Sequence, residues 1–145
     1  MIPTIRYRIT RADIAIHQPA YKTDGASGMD LTSVVPHIFI ILRGETARVP
    51  LGFAIELPPG YEAQIRPRSS LSARGIVCHL GTIDSDYRGE LMAVLTNTSE
   101  TGYPVHPRDR IAQLVIAPVE RVRLFRTDEL SETARGGGGF GSTGR

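Results

Sequence analysis

One cysteine, Cys78, stands in 145 residues. It excludes an intrachain disulfide and a cysteine-rich zinc site, and it points to a reducing, intracellular setting. Lysine is equally scarce: Lys22 is alone among 17 basic residues, the rest being arginine. That bias fits phosphate recognition, and for most positions it fits a GC-rich genome at least as well. The formal net charge of +2 is too small to argue for nucleic acid or a membrane surface. Long apolar runs are missing. Ile38 to Leu42 is the longest uniform one, far short of a membrane span, and the start from Met1 to Arg6 lacks the apolar stretch of a secretory leader. His17, His37, His79 and His106 show no metal-ligand spacing. No Gly-Lys-Ser/Thr phosphate loop and no Gly-x-Ser-x-Gly elbow occurs.

Ten prolines between Pro3 and Pro118 leave little room for long helices. They punctuate short extended segments instead. The clearest is 47–57, where Val49, Leu51, Phe53, Ile55 and Leu57 fall on every second position and so on one face of a sheet. Pro50 inside the run suggests a sheet edge or a bulge. Pro58-Pro59-Gly60 reads as a turn, after which Tyr61, Ala63 and Ile65 resume the alternation. Ile38 to Leu42, Leu91 to Leu95 and Ile111 to Ile116 have the composition of buried strands. Val119, Val122 and Leu124 suggest one more. Ser69 to Gly75 has room for one or two helical turns, with Ser69 as N-cap and Gly75 as the stop. A second short helical stretch is expected over 127–134. The sum is an all-β barrel or sandwich: one β domain over 1–134 and a Gly-rich arm over 135–145.

Chemistry-bearing residues cluster in five places. Gly81-Thr82-Ile83-Asp84-Ser85-Asp86-Tyr87-Arg88-Gly89-Glu90 lies between an apolar pair, Ile76-Val77, and the strand near Leu91, and reads as a hairpin. In an extended chain Asp84 and Asp86 face one way. A carboxylate there suits a general base toward water, with Tyr87 walling off a sugar. The same residues also suit a solvated turn. Arg66-Pro67-Arg68-Ser69-Ser70-Leu71 brings Arg68 to the start of a short helix, with Ser69 and Ser70 adding hydroxyls. This is a triphosphate cradle or a plain capped helix. Ala26-Ser27-Gly28-Met29-Asp30-Leu31 places Asp30 in a strand-like context, where it suits a Mg²⁺-bound water or neighbouring backbone N–H groups. In Arg110-Ile111-Ala112-Gln113-Leu114, Gln113 is polar within an apolar run and must find partners, either phosphate oxygens or backbone.

The fifth cluster is the tail, Arg135-Gly136-Gly137-Gly138-Gly139-Phe140-Gly141-Ser142-Thr143-Gly144-Arg145. Four glycines in a row disfavour both helix and packed strand. Arginine offers a fork for phosphate, glycine backbone a nest for anions, and phenylalanine a face for a nucleobase. Such an arm suits folding over a nucleotide; a disordered low-complexity tail has the same composition.

Taken in order, the five segments resemble the motifs of the trimeric dUTPases (deoxyuridine 5'-triphosphate nucleotidohydrolases, or dUTP pyrophosphatases). The resemblance runs from about Ala26 to the C-terminus. It implies a jelly-roll-like, β-clip barrel with one short helix and a flexible C-terminal arm. It implies a homotrimer whose three sites lie at subunit interfaces, each closed by a neighbour's arm, with no nucleic-acid or membrane partner. The implied reaction turns dUTP and water into dUMP and pyrophosphate, with Mg²⁺ on the triphosphate and Asp30 contacting that ion through water. By position, Asp84 would deprotonate the attacking water and Tyr87 would exclude a 2′-hydroxyl. The 76–83 backbone, including Gly81, Thr82 and Ile83, would pair with uracil. Arg68, Ser69, Ser70 and Gln113 would face the phosphates. Arg135 would clamp the γ-phosphate, Phe140 would stack on uracil, and Gly141-Ser142 would close the nest.

Two departures stand out. Ser70 occupies a position usually held by glycine. The Arg68-to-Asp84 interval is a few residues short, with Cys78-His79-Leu80 where an asparagine-containing loop is common. Arg-Ser-Ser-Leu with Arg74-Gly75 also resembles the related dCTP deaminases, but Val94 stands where those enzymes need a glutamate. A non-catalytic, regulatory dUTPase-like module is a third reading.

Overall fold

The computed structural model describes residues 2–12, 14 and 16–139. Eleven strands and one short helix follow in order: β1 (Arg6–Ile9), β2 (Met29–Thr32), β3 (Phe39–Ile41), β4 (Thr46–Pro50), β5 (Phe53–Glu56), β6 (Tyr61–Arg66), α1 (Ser69–Ser72), β7 (Ile76–Cys78), β8 (Gly81–Ile83), β9 (Met92–Asn97), β10 (Tyr103–Val105) and β11 (Arg110–Pro118). Every pairing is antiparallel. The largest sheet runs β2-β11-β6-β8, a second β4-β9-β7, and two ribbons pair β1 with β5 and β10 with β3. The architecture is all-β and jelly-roll-like. Among the described residues no helix is long and apolar enough to cross a membrane.

The alternating run over 47–57 behaves as expected on one count and not on another. Val49, Leu51, Phe53, Ile55 and Leu57 are all buried. They do not form one strand, however. The chain bends at Leu51-Gly52, where Gly52 takes φ +80°, so that β4 pairs with β9 and β5 with β1. One apolar face is thereby shared between two sheets, an arrangement that a period of two cannot reveal. Pro50 closes β4 at a sheet edge, where its missing N–H costs nothing.

Three further expectations are corrected. Ile38 to Leu42 contains β3, but only Ile41 is buried, while Ile38, Ile40 and Leu42 are more than half exposed. The strand pairs with β10 alone and has one face without cover. The strand expected around Val122 and the helix expected over 127–134 do not form: 119–135 carries neither, and Val122, Leu124, Phe125 and Leu130 are at least 80% exposed. In α1 the N-cap position belongs to Arg68, with Ser69 the first helical residue. Gly75 does stop the turn, in the left-handed region at φ +77°.

Leu31, Ile41, Val49, Leu51, Ile65, Leu91, Leu95 and Ile111 form the centre of the core. Each such side chain contributes roughly 1.5–3 kcal/mol on burial. Asn97 is also fully buried. Its amide nitrogen donates to the carbonyls of Ile41 and Thr101, both at 2.8 Å. Its oxygen accepts from the Ser99 N–H at 2.9 Å and hydroxyl at 2.7 Å. Every hydrogen-bonding position of the amide is used, which is what allows it to stay inside.

Candidate active site

The segment 81–90 is not a hairpin within one sheet. β7 pairs with β9 and β8 with β6, so His79-Leu80 cross from one sheet to another. β7 and β8 are both edge strands of their sheets, leaving one row of backbone groups on each outside the ladder. After β8 the chain turns, with the Tyr87 N–H donating to the Asp84 carbonyl at 3.1 Å. The chain is therefore not extended over Asp84 and Asp86, yet both residues border one concavity of about 220 Å³, with Tyr61 and Arg121. Asp84 and Tyr87 line another concavity, of about 500 Å³, together with Thr82, Ile83, Arg48 and Glu90. The Tyr87 hydroxyl donates to the Glu90 carbonyl at 3.2 Å. Gly81 and Ile83 pair with Ile65 and Ala63 of β6, which holds the base of the concavity on the largest sheet.

A second group forms where β2, β11 and the 66–69 corner meet. Asp30 and Gln113 are partners across β2 and β11, and Gln113 and Arg66 across β11 and β6. Asp30 is mostly buried, its side chain 17% exposed, and takes Arg68 on one oxygen (3.2 Å) and Arg110 on the other (3.0 Å). Arg68 also donates to the Arg110 carbonyl at 2.9 Å. Gln113 donates to the Pro67 carbonyl at 2.9 Å, stapling the second motif to the fourth. Gly28 lies against that amide: a Cβ there would stand 2.5 Å from Gln113 Oε1. The partners sought for Gln113 are thus backbone.

Arg68, Ser70, Arg74, His106 and Arg110 border a concavity of about 390 Å³. Tyr103 lies in it with the Arg74 guanidinium 5.3 Å from its ring centre, within cation–π range. Burial raises the Tyr103 pKa and Asp109 adds to that, while Arg74 and Arg68 oppose it. Ser69 and Ser70 are exposed at the start of α1.

The two groups do not meet. The Asp84–Tyr87 concavity and the Arg68–Arg110 concavity share no lining residue. Arg135 is exposed and donates to the Gly138 carbonyl at 2.8 Å in a turn that follows Thr133. Phe140, Gly141 and Ser142 lie outside the described residues. Among the described residues no three His, Cys, Asp or Glu side chains are grouped to hold a metal. Sequence reading left Arg110 and Glu90 without roles, although both stand inside quoted motifs. Arg11, which ion-pairs with Glu90 at 2.8 Å, has no local signal at all.

Fold and site define an all-antiparallel, jelly-roll-like protein with an acid-and-tyrosine concavity and a separate arginine-rich one. The dUTPase family model matches residues 15–144. The deoxyuridine 5'-triphosphate nucleotidohydrolase of Anaeromyxobacter sp. (strain Fw109-5) is 48% identical over 141 residues, covering 95% of each chain. That of Rhizobium rhizogenes (strain K84 / ATCC BAA-868) is 50% identical over 131 residues, 87% of this chain and 84% of the relative. In structure, the Staphylococcus bacteriophage 80alpha dUTPase with dUPNHPP superposes with a TM-score of 0.89 at 24% identity, covering 98% and 99% of the two chains. A dUTPase from phage phi11 of S. aureus, whose structure describes a structural Mg(II) ion, matches at 0.77 and 22%, covering 87% and 97%. The chain belongs to the dUTPase family.

Proposed function

We propose that this protein hydrolyses dUTP to dUMP and pyrophosphate, as a homotrimer with shared sites. The observation that carries the reading is Asp84 and Tyr87 held on one turn in one concavity, beside the free edges of β7 and β8. Backbone N–H and C=O groups on such an edge match the donor and acceptor pattern of uracil, and close packing there leaves no space for a 5-methyl group. This recognition needs no particular side chain at Cys78-His79-Leu80, so the short interval is compatible with base selectivity. The Tyr87 ring packs on the deoxyribose where a 2′-hydroxyl would project.

Asp84 accepts a proton from a water as that water attacks the α-phosphorus. The bond from the α-phosphorus to the bridging oxygen breaks, and pyrophosphate leaves with the electron pair. Phosphate esters resist water, so positioning and charge neutralisation supply most of the acceleration. Arg68 and Ser70 line a concavity that shares no residue with that of Asp84, and with the adjacent Ser69 and Gln113 they are assigned to a second subunit's contribution. The arm brings Arg135 to the γ-phosphate, Phe140 to the uracil face and Gly141-Ser142 to the phosphate nest.

Mg²⁺ fits as an ion carried by the triphosphate, because the described residues group no acidic cluster to hold it alone. When bound it neutralises phosphate charge. Asp30 would be its contact, through water: its two oxygens now carry Arg68 and Arg110 and keep further lone pairs for such a water.

Incubation with Mg²⁺ and, separately, dUTP, dCTP, dTTP and UTP tests the reading. The expected result is dUMP and pyrophosphate from dUTP alone. Deamination of dCTP would move the chain to the deaminases, and dUTP binding without turnover would favour the regulatory module.

A further inference from the structure

Glu90 ends the third motif, yet its carboxylate is turned away from water, with 18% of the side chain exposed. Oε1 accepts from Arg11 Nε at 2.8 Å and from the Gly52 N–H at 3.1 Å. Oε2 accepts from Arg11 Nη2 at 3.4 Å, so the arginine fork spans both oxygens. The same residue's carbonyl accepts the Tyr87 hydroxyl at 3.2 Å. The ring is held from below as well: a Cβ at Gly89 would stand 2.2 Å from the Tyr87 Oη and 2.5 Å from its Cζ. Gly52 is fixed in turn, its carbonyl accepting the Thr10 N–H at 2.8 Å. Leu51 and Leu91, and Leu91 and Phe53, exchange further backbone bonds at 3.0 and 2.9 Å. Three distant stretches, 10–11, 51–53 and 87–91, therefore meet on one carboxylate.

From this we infer that Glu90, clamped by Arg11, is a positioning residue that holds the Tyr87 ring and so sets discrimination between deoxyribose and ribose. The inference rests on the dUTP reading above. Asp84 is held by other contacts: its carbonyl accepts the Tyr87 N–H, and it follows directly on Ile83, the last residue of the β8–β6 ladder. Loosening Glu90 thus acts first on the sugar wall. A tyrosine ring free to tilt admits the 2′-hydroxyl that a fixed one excludes, and steric discrimination of this size is worth about one to two orders of magnitude.

The test measures kcat and KM for dUTP and UTP, with thermal midpoints, for the full-length protein and for Arg11→Ala, Arg11→Lys and Glu90→Gln. The expected result is a rise of about tenfold in the UTP-to-dUTP ratio of kcat/KM for Arg11→Ala and Glu90→Gln. Arg11→Lys, which keeps the charge and loses the fork, should fall between them and wild type. Arg11→Lys carries the test should either of the other two fail to fold. Folded variants with lowered thermal midpoints and an unchanged ratio would overturn the inference and leave Glu90 a staple only. A wild-type protein that does not prefer dUTP to UTP would overturn the reading beneath it, a result visible before any variant is compared.

Discussion

Asp84 is one carboxylate on a turn, and its proposed work is to take a proton. Asp84→Asn keeps its shape and hydrogen-bonding reach and removes its charge. Turnover of dUTP should fall by at least about 100-fold, with the dissociation constant within a few-fold of wild type, since general-base catalysis contributes on that order. Single-turnover kinetics beside calorimetric titration checks this, and near-normal turnover would show that another group takes the proton. Cys78 makes the opposite case. It is buried, and desolvation pushes its thiol up from 9.0 to about 11. The unfolded chain ionises the thiol near its ordinary pKa, whereas the folded chain does not until about 11. Between those values the unfolded state binds fewer protons, so stability falls as pH rises from about 9 to 11. Urea midpoints should drop across that window, and replacing Cys78 by Ala should flatten the drop. Below pH 9 the folded protein should resist iodoacetamide.

At the scale of elements, β6 was legible from its alternation, and β9 and β11 from their apolar, β-branched composition, because each sends several apolar side chains into the core. β1 and β10 were not. All four residues of β1 are exposed, and β10 is three residues long with a proline at its centre, so neither carries a pattern. The 47–57 run showed its buried face but not its break, since the change of pairing partner at Gly52 depends on where β1 and β9 lie. The stretch 119–135 that leads to the arm carries no strand or helix, and its Val122, Leu124, Phe125 and Leu130 are at least 80% exposed. Deleting 135–145 should leave the core intact, as none of the described residues there, 135–139, belongs to a strand or to the core. We expect an unchanged thermal midpoint and turnover of dUTP reduced by at least about 100-fold, the scale of losing phosphate-positioning groups. Full activity in the truncated protein would show the arm to be uninvolved.

The whole molecule decides whether the two concavities ever act together. Within one chain they share no residue, and association of copies is the proposed remedy. Subunit mixing tests it directly. An Asp84→Asn chain and a chain lacking 135–145 are each expected to be inactive alone. Unfolded together and refolded as mixed trimers, they should regain about a quarter of wild-type turnover, the share of sites that random assembly completes when base and arm come from different chains. No recovery, with mixed trimers verified by mass, would place both groups in one subunit. Motif order and residue chemistry belong to the sequence by itself, because they depend on local spacing: an acid and a tyrosine on one turn, arginines before a short helix, glycines before a phenylalanine. Alternation over 47–57 and in β6, with the apolar, β-branched composition of β9 and β11, likewise named much of the core. Only the tertiary structure decided that Asp30 sits between Arg68 and Arg110, that Gln113 is spent on Pro67, and that Glu90 reaches back to Arg11. Those partners lie 38, 80, 46 and 79 residues apart. Contacts over such separations are set by sheet pairing and chain reversal, which no local pattern encodes.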